Sequence, residues 1–136
     1  MKPMKLTDEN NCFACGEKNP IGLHLKFQWE NDAYVTEFLP RKEHEGYCGI
    51  VHGGLVATVL DEVMARMLWK SGKNVVTVEL KIRLNKVAQP GVKLCVRGWV
   101  VKETRRLIEC AAEARTDEGT IVAEAKGKFL CLGDEK

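Results

Sequence analysis

A turn made of one histidine and two glycines, followed by an acidic residue, is the most chemically suggestive pattern in this chain. His52-Gly53-Gly54 opens an apolar stretch, in which Asp61 follows nine residues after the histidine. Glycines at a helix start leave backbone N–H groups free to hold an oxyanion or a polarised carbonyl. A carboxylate beside Leu, Val and Met side chains is costly to bury unless it has a hydrogen-bond or charge partner or a functional role. Turn and carboxylate together outline a site for acyl transfer or hydrolysis.

The apolar spacing after this turn predicts one long helix, from Gly53 to Lys70. Apolar residues occur there in pairs that cover a wide arc, whereas Thr58, Glu62 and Arg66 fall on the opposite side. Asp61 lies at the border of the apolar arc. Burial there would raise its pKa and a nearby hydroxyl would lower it, and the sequence leaves this competition open.

The helix also separates the two halves of the site. Gly54 and Asp61 are seven residues apart, so they lie about 10 Å apart along the helix axis. Both cannot easily reach within about 3 Å of one carbonyl carbon. We therefore expect a composite site, in which the glycine turn of one subunit faces Asp61 of its neighbour.

Alternating apolar and polar residues predict six strands around this helix. In the strand after the helix, strict alternation puts Thr77 on the polar face with Lys81 and Arg83. The element order predicts an α+β fold, with a curved antiparallel six-stranded sheet wrapped around one long central helix. A single domain would span residues 1–136, with a lead-in segment at 1–22. The predicted strands are Leu23–Trp29, Ala33–Leu39, Val75–Leu84, Val92–Val101, Leu107–Arg115 and Thr120–Leu132.

Composition excludes several classes of function. The chain has 136 residues and a net charge of +2, which is too small to argue for nucleic-acid binding. No apolar run approaches the length needed to cross a membrane, and the first eleven residues lack the apolar core of a signal peptide. We therefore expect a cytoplasmic protein. A sheet with exposed edges is a poor monomer, so a homodimer or a homotetramer is expected.

The six cysteines are expected to be free, because nothing in the sequence indicates export. Cys95, Cys110 and Cys131 lie in apolar strand patterns and are predicted to be buried thiols. Cys12 and Cys15 have the spacing of a zinc knuckle, but a structural zinc site needs four ligands. Only His24 or a partner chain could complete that set. We therefore expect no metal and no cofactor.

The chain resembles the hotdog-fold thioesterase superfamily, in particular its PaaI-like acyl-CoA thioesterase branch. His52-Gly53-Gly54, the step to Asp61 and Thr77 carry the resemblance, together with the lead-in Cys12–Leu23. The resemblance implies acyl-CoA substrates and a catalytic set of Asp61, Gly53, His52 and Thr77. Asp61 would be the general base or the nucleophile. The Gly53 N–H would polarise the thioester carbonyl, and Thr77 would hold the carboxylate or the attacking water.

Further residues are expected to bind substrate or to support the helix start. Gly54 offers a second N–H, while Lys81 and Arg83 could bind the CoA phosphates or simply form a solvated strand face. Glu62 has a possible second carboxylate role, although it is most simply an i,i+4 partner of Arg66. His52 could serve only as a helix-start residue.

One departure from the family pattern concerns the loop before the histidine. Some branches place Asn or Gln six or seven residues upstream, where this chain has Glu45 and Gly46, so a carbonyl-orienting amide is missing. The predicted function is thioester hydrolysis to CoA and a carboxylic acid across a dimer interface. Two alternatives remain open: direct attack by Asp61 through a mixed anhydride, and a non-catalytic acyl-CoA-binding or sensing module. A hydratase fits less well, because no histidine follows Asp61 on the helix.

Overall fold

A six-stranded antiparallel sheet packs against one long helix in the computed structural model, which describes residues 6–133. The sheet order is β1-β2-β4-β5-β6-β3, so β1 and β3 form its edges. The predicted α+β architecture is confirmed. The predicted lead-in at 1–22 and the domain bounds 1–136 include residues 1–5 and 134–136, which lie outside the described range. The elements are β1 (Phe27–Glu30), β2 (Ala33–Phe38), a 3-10 turn (Lys42–His44), α1 (Gly53–Lys70), β3 (Val75–Leu84), β4 (Leu94–Glu103), β5 (Leu107–Arg115) and β6 (Ile121–Cys131).

Two glycines in the sheet let α1 approach it closely. A methyl group at Gly98 in β4 would lie 3.2 Å from Val63 Cγ1, and one at Gly127 in β6 would lie 3.2 Å from Met64 Cε. Leu60, Val63 and Met64 on this face of α1 are completely buried. A Cβ at either position would be closer than ordinary van der Waals contact, so the two glycines let the sheet pack tightly against α1. No helix among residues 6–133 is long and apolar enough to span a membrane.

Three predicted strands begin too early, and in β6 the difference is one residue, Ile121 rather than Thr120. β1 starts at Phe27 rather than Leu23, because the Leu23 and Leu25 N–H groups donate to carbonyls of the lead-in and His24 has a left-handed backbone (φ 53°). β4 starts at Leu94 rather than Val92, because the turn at Gly91 (φ 85°) still holds the chain there. The bounds predicted for α1, β3 and β5 match the structure.

A bulge in β3 overturns the predicted faces in the first half of that strand. Thr77 pairs with the buried Phe129 of β6, and the register then shifts by one residue before Glu79. Paired residues of antiparallel strands share a face, so Thr77 lies on the face toward α1 and not on the polar face. Beyond the bulge, Leu80 pairs with Gly127, which also faces α1. The inserted residue gives the two halves of the strand opposite alternation.

The outer edge of β3 is long and partly apolar. Val78, Leu80 and Leu84 are 53%, 37% and 53% exposed. The backbone of this ten-residue strand pairs on one side only, with β6. Such an edge is a template for pairing with another chain.

The cysteines follow the prediction only in part. All six are free thiols, and Cys110 is buried as expected. Cys131 is half-buried, and the prediction for Cys95 is wrong because its side chain is exposed. Cys95 pairs with Glu37 on the solvent face of β2 and β4, so its apolar neighbours in sequence face the opposite side of the sheet.

Candidate active site

His52 caps the N-terminus of α1 with its side chain. Its Nδ1 accepts a hydrogen bond of 2.9 Å from the Gly54 N–H, and its carbonyl accepts from the N–H groups of Leu55 and Val56. The Gly54 N–H is thereby occupied. Within residues 6–133, the Gly53 N–H alone in this first turn has no hydrogen-bond partner. The helix start therefore presents one free donor, at the position the sequence assigns to carbonyl polarisation.

The loop before His52 uses its polar residues to hold its own backbone. Glu45 Oε2 accepts a 2.6 Å hydrogen bond from the Gly49 N–H, and Gly49 has the positive φ (76°) that suits glycine. A bridge between Glu45 and Val51 closes the loop, and Val51 N–H donates to the Ala88 carbonyl. Glu45 is thus engaged in loop structure, which fixes the approach of the chain to His52.

Asp61 is half-buried on the side of α1 that faces β3. Thr77 Oγ1 donates to Asp61 Oδ1 at 3.0 Å. Burial raises the pKa of Asp61, the Thr77 hydrogen bond opposes the rise, and the nearby Glu62 charge adds to it. The net direction is upward, so burial wins the competition that the sequence left open. Within the described chain, Asp61 has no salt bridge.

The free N–H and the carboxylate stand apart within one chain. Both belong to the continuous helix Gly53–Lys70, and the eight-residue step between Gly53 and Asp61 corresponds to about 12 Å along its axis. β3 contacts both halves: Thr77 bonds Asp61, and a Cβ added at Gly53 would lie 2.8 Å from Leu84 Cδ1. The exposed edge strand therefore runs beside both parts of the site.

Three predicted substrate-binding residues lie away from the Asp61–Thr77 pair. Lys81 and Arg83 are exposed and pair with Lys126 and Glu124, on the sheet face opposite α1. Glu62 is turned away from Thr77 and bonds Arg66 Nε at 3.2 Å, which is the predicted i,i+4 pair. The structure thus brings together Asp61 with Thr77, and His52 with the two glycines.

Two features of the site had no signal in the sequence. Leu84 lies against Gly53, although 31 positions separate them in the chain. Cys12 Sγ lies 3.2 Å from Glu62 Oε2, so the lead-in is attached to the helix residue that follows Asp61. Cys12 and Cys15 form a recognisable pair in the sequence, but nothing there points to Glu62 as their partner.

Comparison with known proteins identifies the family of this chain. The Thioesterase superfamily matches residues 48–123, which is more than half of the chain and includes both His52 and Thr77. The chain belongs to this superfamily. The resemblance inferred from the sequence is thereby confirmed. The matched region holds all eight predicted site residues.

The chain is also similar to proteins that are named for an activity. Acyl-coenzyme A thioesterase THEM5 of Mus musculus is 28% identical over 100 residues, which cover 72% of this chain and 40% of the mouse protein. The chain therefore spans about two fifths of the length of that relative.

Solved structures of superfamily members share the fold. A thioesterase superfamily protein superposes with a TM-score of 0.83 at 23% identity, covering 88% of this chain and 63% of that one. A phenylacetic acid degradation-related thioesterase of Ralstonia eutropha JMP134 gives a TM-score of 0.72 at 21% identity, covering 79% and 85%. A thioesterase protein of Streptococcus pneumoniae TIGR4, solved with coenzyme A, gives 0.76 at 20% identity, covering 82% and 88%.

The pneumococcal protein has also been crystallised as two single-residue variants. One replaces a threonine by alanine and the other an aspartate by alanine, and the two positions are 16 residues apart. Asp61 and Thr77 are separated by the same 16 residues.

Proposed function

We propose that this protein hydrolyses acyl-CoA thioesters to CoA and a carboxylic acid. The observation that carries the proposal is the Asp61 carboxylate, which is half-buried, has no cationic partner in the described chain and is held by the Thr77 hydroxyl. A carboxylate in that setting retains the basicity needed to take a proton from water. Membership of the Thioesterase superfamily supplies the reaction class.

The reaction needs an activated attacker and a stabilised oxyanion. Asp61 takes a proton from water as the water oxygen attacks the thioester carbonyl, and Thr77 holds the carboxylate in place. The carbonyl oxygen becomes an oxyanion that accepts a hydrogen bond from the Gly53 N–H, at the positive end of the α1 dipole. The tetrahedral intermediate then collapses to the carboxylic acid. The CoA sulfur leaves with the electron pair of the C–S bond and receives the proton held by Asp61.

The two catalytic groups would come from different subunits. The separation of about 12 Å along α1 exceeds the reach of one carbonyl group. The exposed edge of β3, with Val78, Leu80 and Leu84, offers a surface for pairing with a second copy beside both half-sites. A dimer built this way holds two composite sites, and either a dimer or a dimer of dimers satisfies the requirement.

The choice of substrate class rests on the relatives. THEM5 carries the name acyl-coenzyme A thioesterase, and the pneumococcal structure contains coenzyme A. The pneumococcal variants alter the same two residue types at the spacing of Asp61 and Thr77. Direct attack by Asp61 to form a mixed anhydride is the alternative mechanism, since the same carboxylate could act as nucleophile.

A panel of short, medium, long-chain and aromatic acyl-CoA esters, with detection of the free thiol, tests the proposal. We expect turnover by the wild type, loss of turnover in Asp61→Ala, and retained turnover in the exposed-carboxylate control Asp117→Asn. That result would support an enzyme whose reaction depends on Asp61. No turnover on any ester, with equal CoA-ester binding by wild type and Asp61→Ala, would favour a non-catalytic binding or sensing module. Incorporation of ¹⁸O into Asp61 after a single turnover in ¹⁸O water would show a mixed anhydride opened by water at the Asp61 carboxyl carbon, because the general-base route leaves both Asp61 oxygens unchanged.

A mixing experiment tests the composite site. Gly53→Pro removes the N–H at a position where proline fits a helix start, and Asp61→Ala removes the carboxylate. In an equal, exchanged mixture about half of the dimers are mixed, and each mixed dimer regains one of its two sites, so activity should reach about a quarter of wild type. Gly53→Ala, which keeps the N–H and meets the same Leu84 side chain, controls for steric effects. Mixtures that remain as inactive as the two parents would show that each site lies within one chain.

A further inference from the structure

A second cluster of reactive side chains includes the residue that follows Asp61 on α1. This cluster lies outside the proposed catalytic site. One ligand atom each from Cys12, Cys15 and Glu62 lies within 4.8 Å of the other two. All three residues are half-buried. Cys12 and Cys15 come from the turn of the lead-in, where the Gly16 N–H donates to the Cys12 carbonyl at 2.8 Å. Glu62 comes from the middle of α1, so the cluster joins two segments that are remote in sequence.

The surroundings of the cluster are charged and accessible. Arg66 Nε lies 3.2 Å from Glu62 Oε2, and Arg66 Nη1 forms a 2.7 Å ion pair with Asp8. Cys12, Glu62 and Arg66 also line a cleft of about 490 Å³. The glutamate side chain is only 13% exposed, so the cluster lies at the base of a cleft that water can enter.

The ligand atoms of the three side chains lie close enough together to share one ion. A divalent cation between them would stabilise all three groups in their anionic forms.

We propose that Cys12, Cys15 and Glu62 bind a zinc ion, with the fourth tetrahedral position taken by water from the cleft. Two thiolates and one oxygen ligand suit Zn²⁺, whereas Mg²⁺ and Ca²⁺ prefer sites made of oxygen alone. Binding displaces the two thiol protons, which pass to solvent. The predicted absence of a metal is revised on this point, since Glu62, and not His24, supplies the third donor.

Arg66 lies beside the proposed ligand set. Two thiolates and a carboxylate give Zn²⁺ a net charge of −1, and the Arg66 guanidinium next to Glu62 places a positive charge against it. Because Arg66 also bonds Asp8, it acts as an outer partner that orients the ligating carboxylate. His24 is committed elsewhere, with Nε2 2.6 Å from the Asn19 carbonyl oxygen.

A metal here would fasten the lead-in to the helix that carries Asp61. Without it, the lead-in is attached to this part of α1 by the Cys12–Glu62 contact and the Asp8–Arg66 ion pair. The test of this site is metal binding and not thioester turnover, so it succeeds or fails without reference to the proposed function.

Metal binding is tested on the full chain, purified under reducing conditions and reconstituted with Zn²⁺ or with Co²⁺. We expect about one tightly held Zn²⁺ per chain by elemental analysis, and a Co²⁺ form with thiolate-to-metal charge-transfer and tetrahedral d–d absorption. Cys12→Ser, Cys15→Ser and Glu62→Gln should each lower Zn²⁺ affinity by at least about 10-fold and remove the zinc-dependent rise in Tm. Cys131→Ser, a half-buried cysteine outside the cluster, should bind as wild type does.

Three results would overturn the proposal. The first is a wild-type chain that holds substoichiometric zinc after reconstitution. The second is a Co²⁺ spectrum without thiolate absorption, or one that Cys131→Ser changes as much as Cys15→Ser does. The third is a peptide containing Cys12 and Cys15 whose mass is about 2 Da below that of its dithiol form, which would show a disulfide in place of a metal.

Discussion

Asp61 and Glu62 are neighbours on one helix, yet their carboxylates have opposite environments. Glu62 contacts a guanidinium and a thiol, whereas Asp61 has one hydroxyl, from Thr77, and no cation in the described chain. Burial raises the pKa of Asp61. A half-buried acid with a countercharge contributes to structure, and one without a countercharge is available for proton transfer. This difference is the reason for proposing Asp61, and not Glu62, as the reactive carboxylate.

The largest expected effect is on turnover at Asp61. Asp61→Asn keeps the shape of the side chain and the Thr77 contact but removes the base, so kcat/KM should fall by about 10³-fold or more. Steady-state hydrolysis of the best acyl-CoA ester measures this, with Asp117→Asn as the control. A loss below about 10-fold would mean that Asp61 is not the base.

The free donor at the helix start should have the next largest effect. Gly53→Pro deletes one hydrogen bond to the developing oxyanion, and kcat should fall by about 10²-fold or more. Gly53→Ala retains the N–H and should cost much less, although its Cβ meets Leu84 Cδ1 at 2.8 Å. Equal losses in the two variants would assign the effect to crowding by Leu84 and remove the N–H from the mechanism.

Removing the hydroxyl next to Asp61 should have a smaller effect. Thr77→Val keeps the branched shape and deletes the 3.0 Å hydrogen bond, so the carboxylate loses its orientation and kcat should fall by about 10-fold. Thr77→Ser restores the hydroxyl and should recover most of that loss. If Thr77→Ser were as impaired as Thr77→Val, the side-chain methyl group would matter more than the hydrogen bond.

The smallest effect is a gain in stability. Because the pKa of Asp61 is raised in the folded chain, its ionised form costs stability once the pH exceeds both the unfolded and the folded pKa. Asp61→Asn removes this cost, so Tm should rise by about 2 to 5 °C at pH 7.5. The gain should disappear as the pH falls below the ordinary aspartate pKa of 3.8, where Asp61 is neutral in both states.

Differential scanning fluorimetry across that pH range checks the stability prediction. Glu62→Gln is the sharpest comparison, because its carboxylate has the Arg66 partner. That variant should lower Tm at neutral pH by leaving a half-buried guanidinium less well paired. A stabilised Glu62→Gln, or an Asp61→Asn with unchanged Tm, would remove the distinction between the two carboxylates.

Local patterns predicted the framework of this molecule but not its contacts. The bounds of α1 follow from the glycine turn and the apolar pairs, and those of β5 follow from regular alternation. The lead-in was misread at Leu23, because an alternating pattern cannot reveal that the backbone there bonds the earlier turn at Phe13. Partners such as Leu84 with Gly53 depend on how the sheet curves around the helix, which no short stretch of sequence records.

The site was predicted unevenly for the same reason. Asp61 and His52 stood out by their spacing on a single element. Helix geometry predicted free N–H groups at both Gly53 and Gly54, but the Gly54 N–H donates to His52. Thr77 was assigned to the wrong face, because the bulge before Glu79 reverses the alternation. Glu62 was considered as a substrate ligand, although it contacts cysteines that lie 50 and 47 positions earlier in the chain.

The single inserted residue in β3 shifts the alternation of inward-facing and outward-facing side chains by one position. Without the insertion, regular alternation would turn one of two sets of side chains toward the helix. One set has the hydroxyl followed by Glu79, Lys81 and Arg83, and the other has the leucines but no hydroxyl. Because the register shifts between Thr77 and Glu79, one strand presents both the hydroxyl and the leucines to the helix. The leucine half of β3, from Leu80 to Leu84, can therefore be substituted without changing the direction in which Thr77 points.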